Sequence, residues 1–255
     1  YSNTFHASWH LDDRPNIVDN YYLHITALQP DQLINTFFTD PHNPEKLQDS
    51  LYRPVACLTF ALNWYFGQDN VFGYNLVNTS IHILTAFFLF LFCICLFSTP
   101  NLKNNYFGNP VFIAFLASLL WMVNPIQTQA VTYIVQRMAQ LAAMFYILGL
   151  YAYTSARLSD SLKKSAVWLF FCLLFFLCGF FSKPNAAMMP AAVVLIEIAF
   201  FQNLSDKKTR RRIYIATLAI GIMIVLLGSL VFYNGDPLSF LNGYNRRPFT
   251  FTERM

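Results

Sequence analysis

Long runs of apolar residues alternate with short polar segments along most of the chain. A helix that crosses the roughly 30 Å hydrocarbon core of a bilayer needs about 20 mostly apolar residues. A shorter apolar run ends at Asn124-Pro125, because proline disfavours a helical conformation in the residue before it. The pattern predicts five long spans and this shorter one, at 71–97, 129–156, 165–181, 186–201, 213–232 and 111–124.

A further aromatic stretch, 51–66, begins at Arg53-Pro54 and fits either an interfacial helix or a membrane helix. We therefore predict an all-α, polytopic membrane protein with a large first outer loop. The predicted parts are a first extracytoplasmic loop at 1–50, the helix at 51–66, a six-helix transmembrane bundle at 71–233 and a second extracytoplasmic segment at 234–255.

Composition agrees with a membrane protein. Of the 255 residues, 56% are hydrophobic and only 12% are charged, which is about half the charged share of a soluble domain. The net charge of +4 is scattered along the chain, so nucleic acid is not an expected partner. The five cysteines lie mostly in apolar runs, which does not indicate a disulfide framework or a zinc site.

Basic residues are concentrated in alternate loops, and cytoplasmic loops of membrane proteins carry the excess of lysine and arginine. The short loops between these, around 125–128 and 182–184, contain one basic residue, Lys183. We therefore expect the segment 1–50, the turns at Asn124 and Lys183 and the segment 234–255 to lie outside the cytoplasm. The basic loops hold Lys103, then Arg157, Lys163 and Lys164, then Lys207, Lys208, Arg210, Arg211 and Arg212.

Two adjacent carboxylates, Asp12 and Asp13, lie in the first outer loop. A carboxylate at a partly dry interface has a raised proton affinity and can accept a proton from a hydroxyl. The alternative is that the pair only forms a solvated turn before Pro15. His6 and His10 are four residues apart with Asp12 nearby, but short clusters of this kind are more often interfacial histidines than metal ligands, and we predict no metal.

Arg137 interrupts an apolar helix near its outer end. Such a placement costs about 2.5 kcal/mol or more unless the arginine is paired or reaches a wet cavity. Gln129, Gln136 and Gln140 recur at spacings of seven and four, which predicts a polar stripe on one helix face and a cleft open to the outer side. Snorkelling of Arg137 to the lipid headgroups is the alternative interpretation.

Lys183 lies in a short turn between two apolar runs, where a lysine can bind a lipid phosphate or simply anchor the interface. Arg246 and Arg247 follow in the outer segment, against the usual charge bias. An outward acidic pair together with cations indicates transfer from a lipid-linked phosphate donor. The basic groups would hold the phosphate and a carboxylate would activate the acceptor.

Five stretches of the sequence resemble, in consistent order from about Trp9 to Met255, blocks of the transmembrane and tetratricopeptide repeat-containing O-mannosyltransferases and their bacterial relatives. That family belongs to the GT-C glycosyltransferase superfamily. The stretches are YRPVACLTFALNWYFG, YNLVNTSIHIL, NPIQTQAVTYIVQRMAQLAAMFYILGLYAY, SKPNAAMMPAAVVLIE and RRPFTFTERM.

The resemblance implies a GT-C-like helical bundle that uses a polyprenyl- or dolichyl-phosphate sugar on the extracytoplasmic or lumenal side. The family's acidic pair matches Asp12-Asp13, so one carboxylate would act as base in an inverting transfer and the other would orient it. The family's basic positions match Arg137 and Lys183, and from their charge we assign these two, with Arg53, to the donor phosphate. The accessory candidates are His10, Gln136, Arg246 and Arg247.

The expected protein is thus integral to a bacterial inner membrane or the endoplasmic reticulum, with a lipid-phosphate donor as substrate and a protein or glycan as acceptor. We expect the chain to be a fragment of a longer protein, with its repeat region after residue 255. A non-catalytic GT-C-like subunit of a larger assembly stays as the alternative, because the family often has His-Pro where this chain has Asn124-Pro125. A transporter ranks last, since no internal repeat is visible.

Overall fold

The computed structural model describes residues 4–5, 8–103, 108–203, 206–207, 210–211 and 215. The chain divides into two compact units, Tyr1–Phe200 and Phe201–Met255, and the first contains the helical bundle. Apart from Ile215, the predicted span 213–232 and the segment 234–255 lie outside the described residues, as do His6, Arg246 and Arg247.

Helices make up the regular structure of the described residues, which contain no strand and one isolated antiparallel bridge between Thr39 and Leu47. The predicted all-α class is therefore confirmed. The α-helices are α1 (Pro30–Asn35), α2 (Pro54–Gly67), α3 (Val71–Phe97), α4 (Pro100–Lys103), α5 (Pro110–Val123), α6 (Gln127–Thr132), α7 (Arg137–Leu158), α8 (Leu162–Ser182) and α9 (Met189–Ile196).

Four helical segments in the described part are long and apolar enough to cross a membrane: Val71–Phe97, Ile134–Leu158, Leu162–Ser182 and Pro184–Phe201. The last begins with a 3₁₀ turn, Pro184–Met188, and ends in a π-helical turn, Glu197–Phe201. α5 is equally apolar but shorter, and it stops before Asn124-Pro125 as the sequence predicts.

Local sequence accounts for several helix starts. The side chain of Asn70 accepts the N–H of Phe72 at the start of α3, and the side chain of Asn109 accepts the N–H of Phe112 at the start of α5. Asparagine is a favoured residue at this position because its oxygen satisfies an N–H that has no helical partner. Proline begins α2 and α5, where its missing N–H costs nothing.

The predicted span 129–156 is not one helix, and this prediction was wrong. α6 ends at Thr132, Tyr133 is extended with φ −89° and ψ 109°, and a 3₁₀ turn, Ile134–Gln136, leads into α7. The carboxylate of Asp13 accepts the N–H of Val135 at the start of the new helical segment. Because this partner comes from 122 residues earlier in the chain, local sequence could not reveal the break.

α7 is the central helix and packs against α8 and α3, and α5 also packs against α3. The approach of α7 to α9 is close: a Cβ built on Gly149 would lie 2.5 Å from the sulfur of Met189. Small residues allow such close helix packing within membranes. Many apolar side chains of α5 and α8 are exposed, among them Leu120 and Leu173, as lipid-facing surfaces require.

The first loop folds onto one end of the helices. Ile17, Leu23 and Ile25 are buried together with Cys57 and Phe60 of α2. Burying an aliphatic side chain contributes about 1.5–3 kcal/mol, so the loop is fixed to the helices by its own apolar residues. This attachment places Asp12 and Asp13 beside the break between α6 and α7.

Candidate active site

The two adjacent aspartates occupy different environments. Asp13 is fully buried, and its Oδ2 accepts the N–H of His10 at 2.9 Å while its Oδ1 accepts the N–H of Val135 at 2.7 Å. Burial raises the pKa of Asp13, and the two N–H donors oppose that rise. Both carboxylate oxygens thus accept backbone N–H groups. Asp13 is therefore the residue that fixes the loop to the start of the α7 segment.

Asp12 is exposed. Its backbone N–H donates to the phenol oxygen of Tyr133 at 2.8 Å, and its carbonyl oxygen accepts the side-chain amide of Asn16 at 2.8 Å. The charge of Asp12 also acts on the phenol of Tyr52, whose hydroxyl donates to Asn16 Oδ1 at 3.0 Å. Asp12 therefore offers a solvent-accessible carboxylate on a backbone that is hydrogen-bonded in place.

Arg53 directly precedes α2 in a left-handed conformation, with φ 45° and ψ 52°. A non-glycine residue rarely adopts this conformation, which costs about 1–2 kcal/mol. The guanidinium lies over the ring of Tyr52, 4.9 Å from its centroid, and Nη1 is 2.7 Å from the sulfur of Met138. The strained backbone thus directs a half-buried arginine from the end of the first loop to α7.

Lys183 directly follows α8, which packs against α2, the helix that Arg53 precedes. Burial lowers the pKa of Lys183, and the positive charge of Arg53 lowers it further. Two neighbouring cations repel each other, and an anion that binds between them offsets this repulsion. Arginine and lysine are also the usual protein ligands of phosphate. The two residues therefore form a candidate anion site, which we call the Arg53–Lys183 pair.

A cavity of about 340 Å³ adjoins Lys183. Small apolar residues of α7 provide much of its wall, with an indole and a phenol beside them. An apolar cavity with a cation at its wall suits an apolar chain that carries an anionic head. The lining residues are Trp121, Ala139, Ala142, Ala143, Tyr146, Ile147, Lys183, Asn185 and Ala186.

Arg137 is fully buried and does not line this cavity. Its Nε donates to Asn78 Oδ1 at 2.7 Å and its Nη1 donates to Asn63 Oδ1 at 2.5 Å. Two backbone carbonyls accept as well: that of Thr59 at 3.1 Å and that of Tyr74 at 3.0 Å. Four of the five N–H donors of the guanidinium are thereby satisfied by α2 and α3.

Two aromatic rings complete the surroundings of Arg137. Its guanidinium carbon lies 4.7 Å from the ring centroid of Phe60 and 5.4 Å from that of Tyr74. The expectation of Arg137 in an open polar cleft is therefore wrong in this structure. The physical reason is that asparagine side chains and carbonyl groups of neighbouring helices provide the pairing that a buried arginine requires.

The predicted glutamine stripe is also absent from the described helices. Gln129 belongs to α6, while Gln136 precedes α7 and Gln140 lies inside it, so the break at Tyr133 separates them. The amide of Gln140 donates across the break to the carbonyl of Ala130. Gln136 is half-buried. The side chain of Gln140 thus bridges the break, and the three glutamines do not form one polar face.

His10 is exposed beside the two aspartates, and its ring meets that of Tyr133 edge-on at 6.2 Å. Asn124 is exposed too, and its side chain accepts the N–H of Ile126 in the turn before α6. Within the part of the chain that the structure describes, no group of three or more His, Cys, Asp or Glu residues could hold a metal ion.

Sequence reasoning missed Tyr133, Tyr52, Asn63 and Asn78. The two asparagines carried a usable signal, because polar side chains within apolar helices pair with one another across helices. An arginine and two asparagines in separate apolar helices should have suggested a buried cluster. The tyrosines carried no such signal, since membrane interfaces are rich in tyrosine in any case.

The fold and the site together define a helical membrane protein with Lys183 at the wall of an apolar cavity; Asp12 and Arg53 are not among the residues that line it. Neither a family model nor a solved structure matches the chain. Curated proteins that carry the name protein O-mannosyl-transferase do match it. Mouse TMTC3 is 29% identical over 177 residues, which is 69% of this chain and 18% of the relative.

Two further relatives extend the similarity. Human TMTC2 is 29% identical over 207 residues, covering 76% of this chain and 23% of the relative. Xenopus laevis tmtc2 is 25% identical over 261 residues, covering 96% and 29%. The chain spans about a fifth of the length of mouse TMTC3. These similarities confirm the resemblance to the TMTC-type O-mannosyltransferases of the GT-C superfamily.

Proposed function

We propose that this chain forms the membrane part of a glycosyltransferase that moves a sugar from a polyprenyl- or dolichyl-phosphate carrier to a protein hydroxyl. The observation that carries the proposal is the cationic Lys183 at the wall of an apolar cavity, with Arg53 at the start of the helix that packs against α8. Exposed Asp12 is linked by hydrogen bonds through Asn16 to Tyr52. Arg53 lies over the ring of Tyr52. The names of the relatives favour mannose as the sugar.

The donor would bind with its phosphate between the guanidinium of Arg53 and the ammonium of Lys183. Its apolar chain would occupy the cavity along Ala139 and Ala143, whose small side chains leave that space open. Charge-assisted hydrogen bonds to phosphate are about twice as strong as neutral ones. Arg137 has no part in this donor site, because its N–H groups already serve Asn63 and Asn78.

Asp12 is the proposed base. It accepts the proton of the acceptor hydroxyl, and the hydroxyl oxygen forms a bond to the anomeric carbon of the sugar. The bond between that carbon and the phosphate oxygen breaks, with inversion, and the released polyprenyl phosphate keeps the electron pair. Arg53 and Lys183 stabilise the negative charge that develops on the leaving phosphate. Asp13 acts indirectly, since its two hydrogen bonds fix the backbone that carries Asp12.

The proposed reaction takes place outside the cytoplasm or in the lumen. Support for this side comes from basic residues at the other ends of the helices, such as Arg157 in the last turn of α7 and Lys163 and Lys164 at the start of α8. An acceptor at this side is a secreted or membrane protein with an accessible serine or threonine.

The test uses the full-length protein in detergent or nanodiscs, with radiolabelled polyprenyl-phosphate mannose and a peptide rich in serine and threonine. Asp12→Asn should lower kcat by about 10²–10⁴-fold, because a general base contributes that much. The donor KM should stay unchanged, since Asp12 does not contact the phosphate in this proposal.

The matched control is Asp31→Asn, which changes an exposed aspartate in α1 of the same loop. It should retain wild-type transfer. Full activity of the Asp12→Asn variant would contradict the proposed base. Absence of both donor binding and transfer in the wild-type protein would favour the alternative of a non-catalytic subunit.

A further inference from the structure

We infer that Tyr133 is a positioning residue for Asp12: its phenol accepts the backbone N–H of this aspartate and so fixes the main chain that carries the base. The inference rests on the proposed function, because it assumes that Asp12 is the base. Nothing in the sequence of the α6–α7 region singles out this tyrosine, which becomes visible only through its contact with the first loop.

The geometry places the phenol against the main chain of Asp12. The oxygen of Tyr133 accepts the backbone N–H of Asp12 at 2.8 Å, across 121 residues of sequence. The phenol acts here as an acceptor. The bond fixes the main chain of Asp12 and with it the position from which its carboxylate projects.

Tyr133 is itself held rigidly. It lies in the extended break between α6 and the next 3₁₀ turn, and its neighbours Val131 and Ile134 are almost fully buried. Two residues further on, the N–H of Val135 binds the carboxylate of Asp13. The short stretch 133–135 therefore holds both aspartates, Asp13 through a main-chain donor and Asp12 through a side chain.

The protonation state of the phenol suits this role. Burial raises the pKa of Tyr133, the hydrogen bond from the backbone of Asp12 opposes that rise, and the negative charges of Asp12 and Asp13 add to it. The phenol accordingly stays uncharged at neutral pH. The ring of His10 rests edge-on against the ring of Tyr133 at 6.2 Å, which restricts the motion of the phenol.

The functional consequence is orientation of the base. An aspartate side chain on an exposed turn samples several rotamers, and proton transfer requires the carboxylate to be within hydrogen-bonding reach of the acceptor hydroxyl. The hydrogen bond from the backbone N–H of Asp12 to Tyr133 fixes the main chain from which this side chain projects, and it leaves the carboxylate oxygens available to the acceptor. Misorientation of a catalytic group by about 1 Å can cost 10²-fold in rate.

The experiment is Tyr133→Phe in the full-length protein, assayed with polyprenyl-phosphate mannose and the acceptor peptide. This change removes the hydroxyl and keeps the ring. We expect kcat to fall by up to about tenfold, because one hydrogen bond that positions the base is lost, with no change in the donor KM. The matched control is Tyr22→Phe, whose hydroxyl contacts the carbonyl of Glu45 elsewhere in the same loop, and it should behave as wild type.

A double-mutant cycle tests whether Tyr133 acts through Asp12. Tyr133→Phe should have no further effect in an Asp12→Asn background, because the group that it orients is already disabled. An equal loss of kcat in both backgrounds would overturn the inference. So would a lower melting temperature accompanied by a higher donor KM, which is the signature of a tyrosine that only anchors the loop.

The same cycle separates the two hypotheses. If Asp12→Asn abolishes transfer while Tyr133→Phe retains wild-type kcat, the positioning role is wrong and the proposed function stands. If Asp12→Asn retains wild-type transfer, the proposed base is wrong, and the positioning role falls with it.

Discussion

Arg137 and Arg53 are both arginines at the start of a helix, yet their surroundings differ in kind. Arg137 is enclosed by α2, α3 and α7, and its hydrogen bonds go to oxygen atoms of Asn63, Asn78 and two backbone carbonyls. Arg53 is half-buried, and within the described residues its hydrogen bond goes to the sulfur of Met138, a weak acceptor.

The difference shows that the hydrogen-bond acceptors around an arginine, and not its charge, decide whether its N–H groups are available to a ligand. A guanidinium whose N–H groups mostly meet oxygen atoms gains little from a phosphate, because binding would first break those bonds. A guanidinium held by a ring and a sulfur atom keeps most of its donors for a ligand. Arg137 therefore stabilises the helices, while the Arg53–Lys183 pair is the proposed phosphate site.

The largest expected effect that follows from this comparison is on stability. Arg137→Ala removes the donor from the buried side-chain oxygen of Asn78 and from the half-buried one of Asn63. We expect the free energy of unfolding to fall by about 3–5 kcal/mol. Thermal unfolding in detergent and the yield of folded protein measure this loss. The control is Arg157→Ala in the same helix, whose ion pair with Glu197 is partly exposed, so its removal should cost about 1 kcal/mol or less.

If Arg137→Ala kept wild-type stability and instead weakened donor binding, the contrast between the two arginines would be wrong. Arg137 would then be assigned to donor binding.

The next largest effect concerns the donor. Arg53→Ala and Lys183→Ala should each raise the donor KM by about 10–100-fold, because each removes a hydrogen bond between charged groups. The melting temperature should change little, since neither side chain is fully buried. Lys163→Ala changes an exposed lysine of α8 near its other end and serves as the control. An unchanged donor KM in both variants would contradict the proposed phosphate site.

The smallest effect is a pH dependence of donor binding. Burial and the charge of Arg53 lower the pKa of Lys183 below the ordinary 10.5, so the ammonium loses its proton at a lower pH than an exposed lysine does. As the pH rises through that lowered value, one of the two cations disappears and the donor KM should increase, at most by the factor seen in Lys183→Ala.

Lys183→Arg provides the matched comparison, because arginine remains charged over the whole range. The alkaline rise in donor KM should therefore be absent from this variant and present in the wild type. An identical rise in both proteins would mean that another group titrates, and that Lys183 does not contact the donor.

Much of the fold could be predicted from the sequence because it depends on local composition. α3 has the bounds that its apolar run predicts, and α5 stops before Asn124-Pro125 as proline chemistry requires. The predicted helix 186–201 lies close to its observed position, but its 3₁₀ start and its π-helical end were not predicted. Apolar length sets helix existence, and the details at helix ends depend on contacts with other segments.

The candidate site was predictable only as a set of residue types. The sequence indicates Asp12, Asp13 and Lys183 as unusual polar residues among apolar runs, but it cannot distinguish the buried aspartate from the exposed one. That distinction depends on the N–H of Val135, which reaches Asp13 from the other side of a long stretch of chain. The role of Tyr133 was invisible for the same reason.

The sequence by itself determined that this protein is helical and apolar enough for a membrane, since those properties follow from the length and composition of contiguous segments. Tertiary structure alone decided which charged groups are satisfied internally and which remain available. Hydrogen bonds that join residues far apart, such as those of Arg137 to Asn78 and of Asp13 to Val135, exist only after the helices and the first loop have packed together.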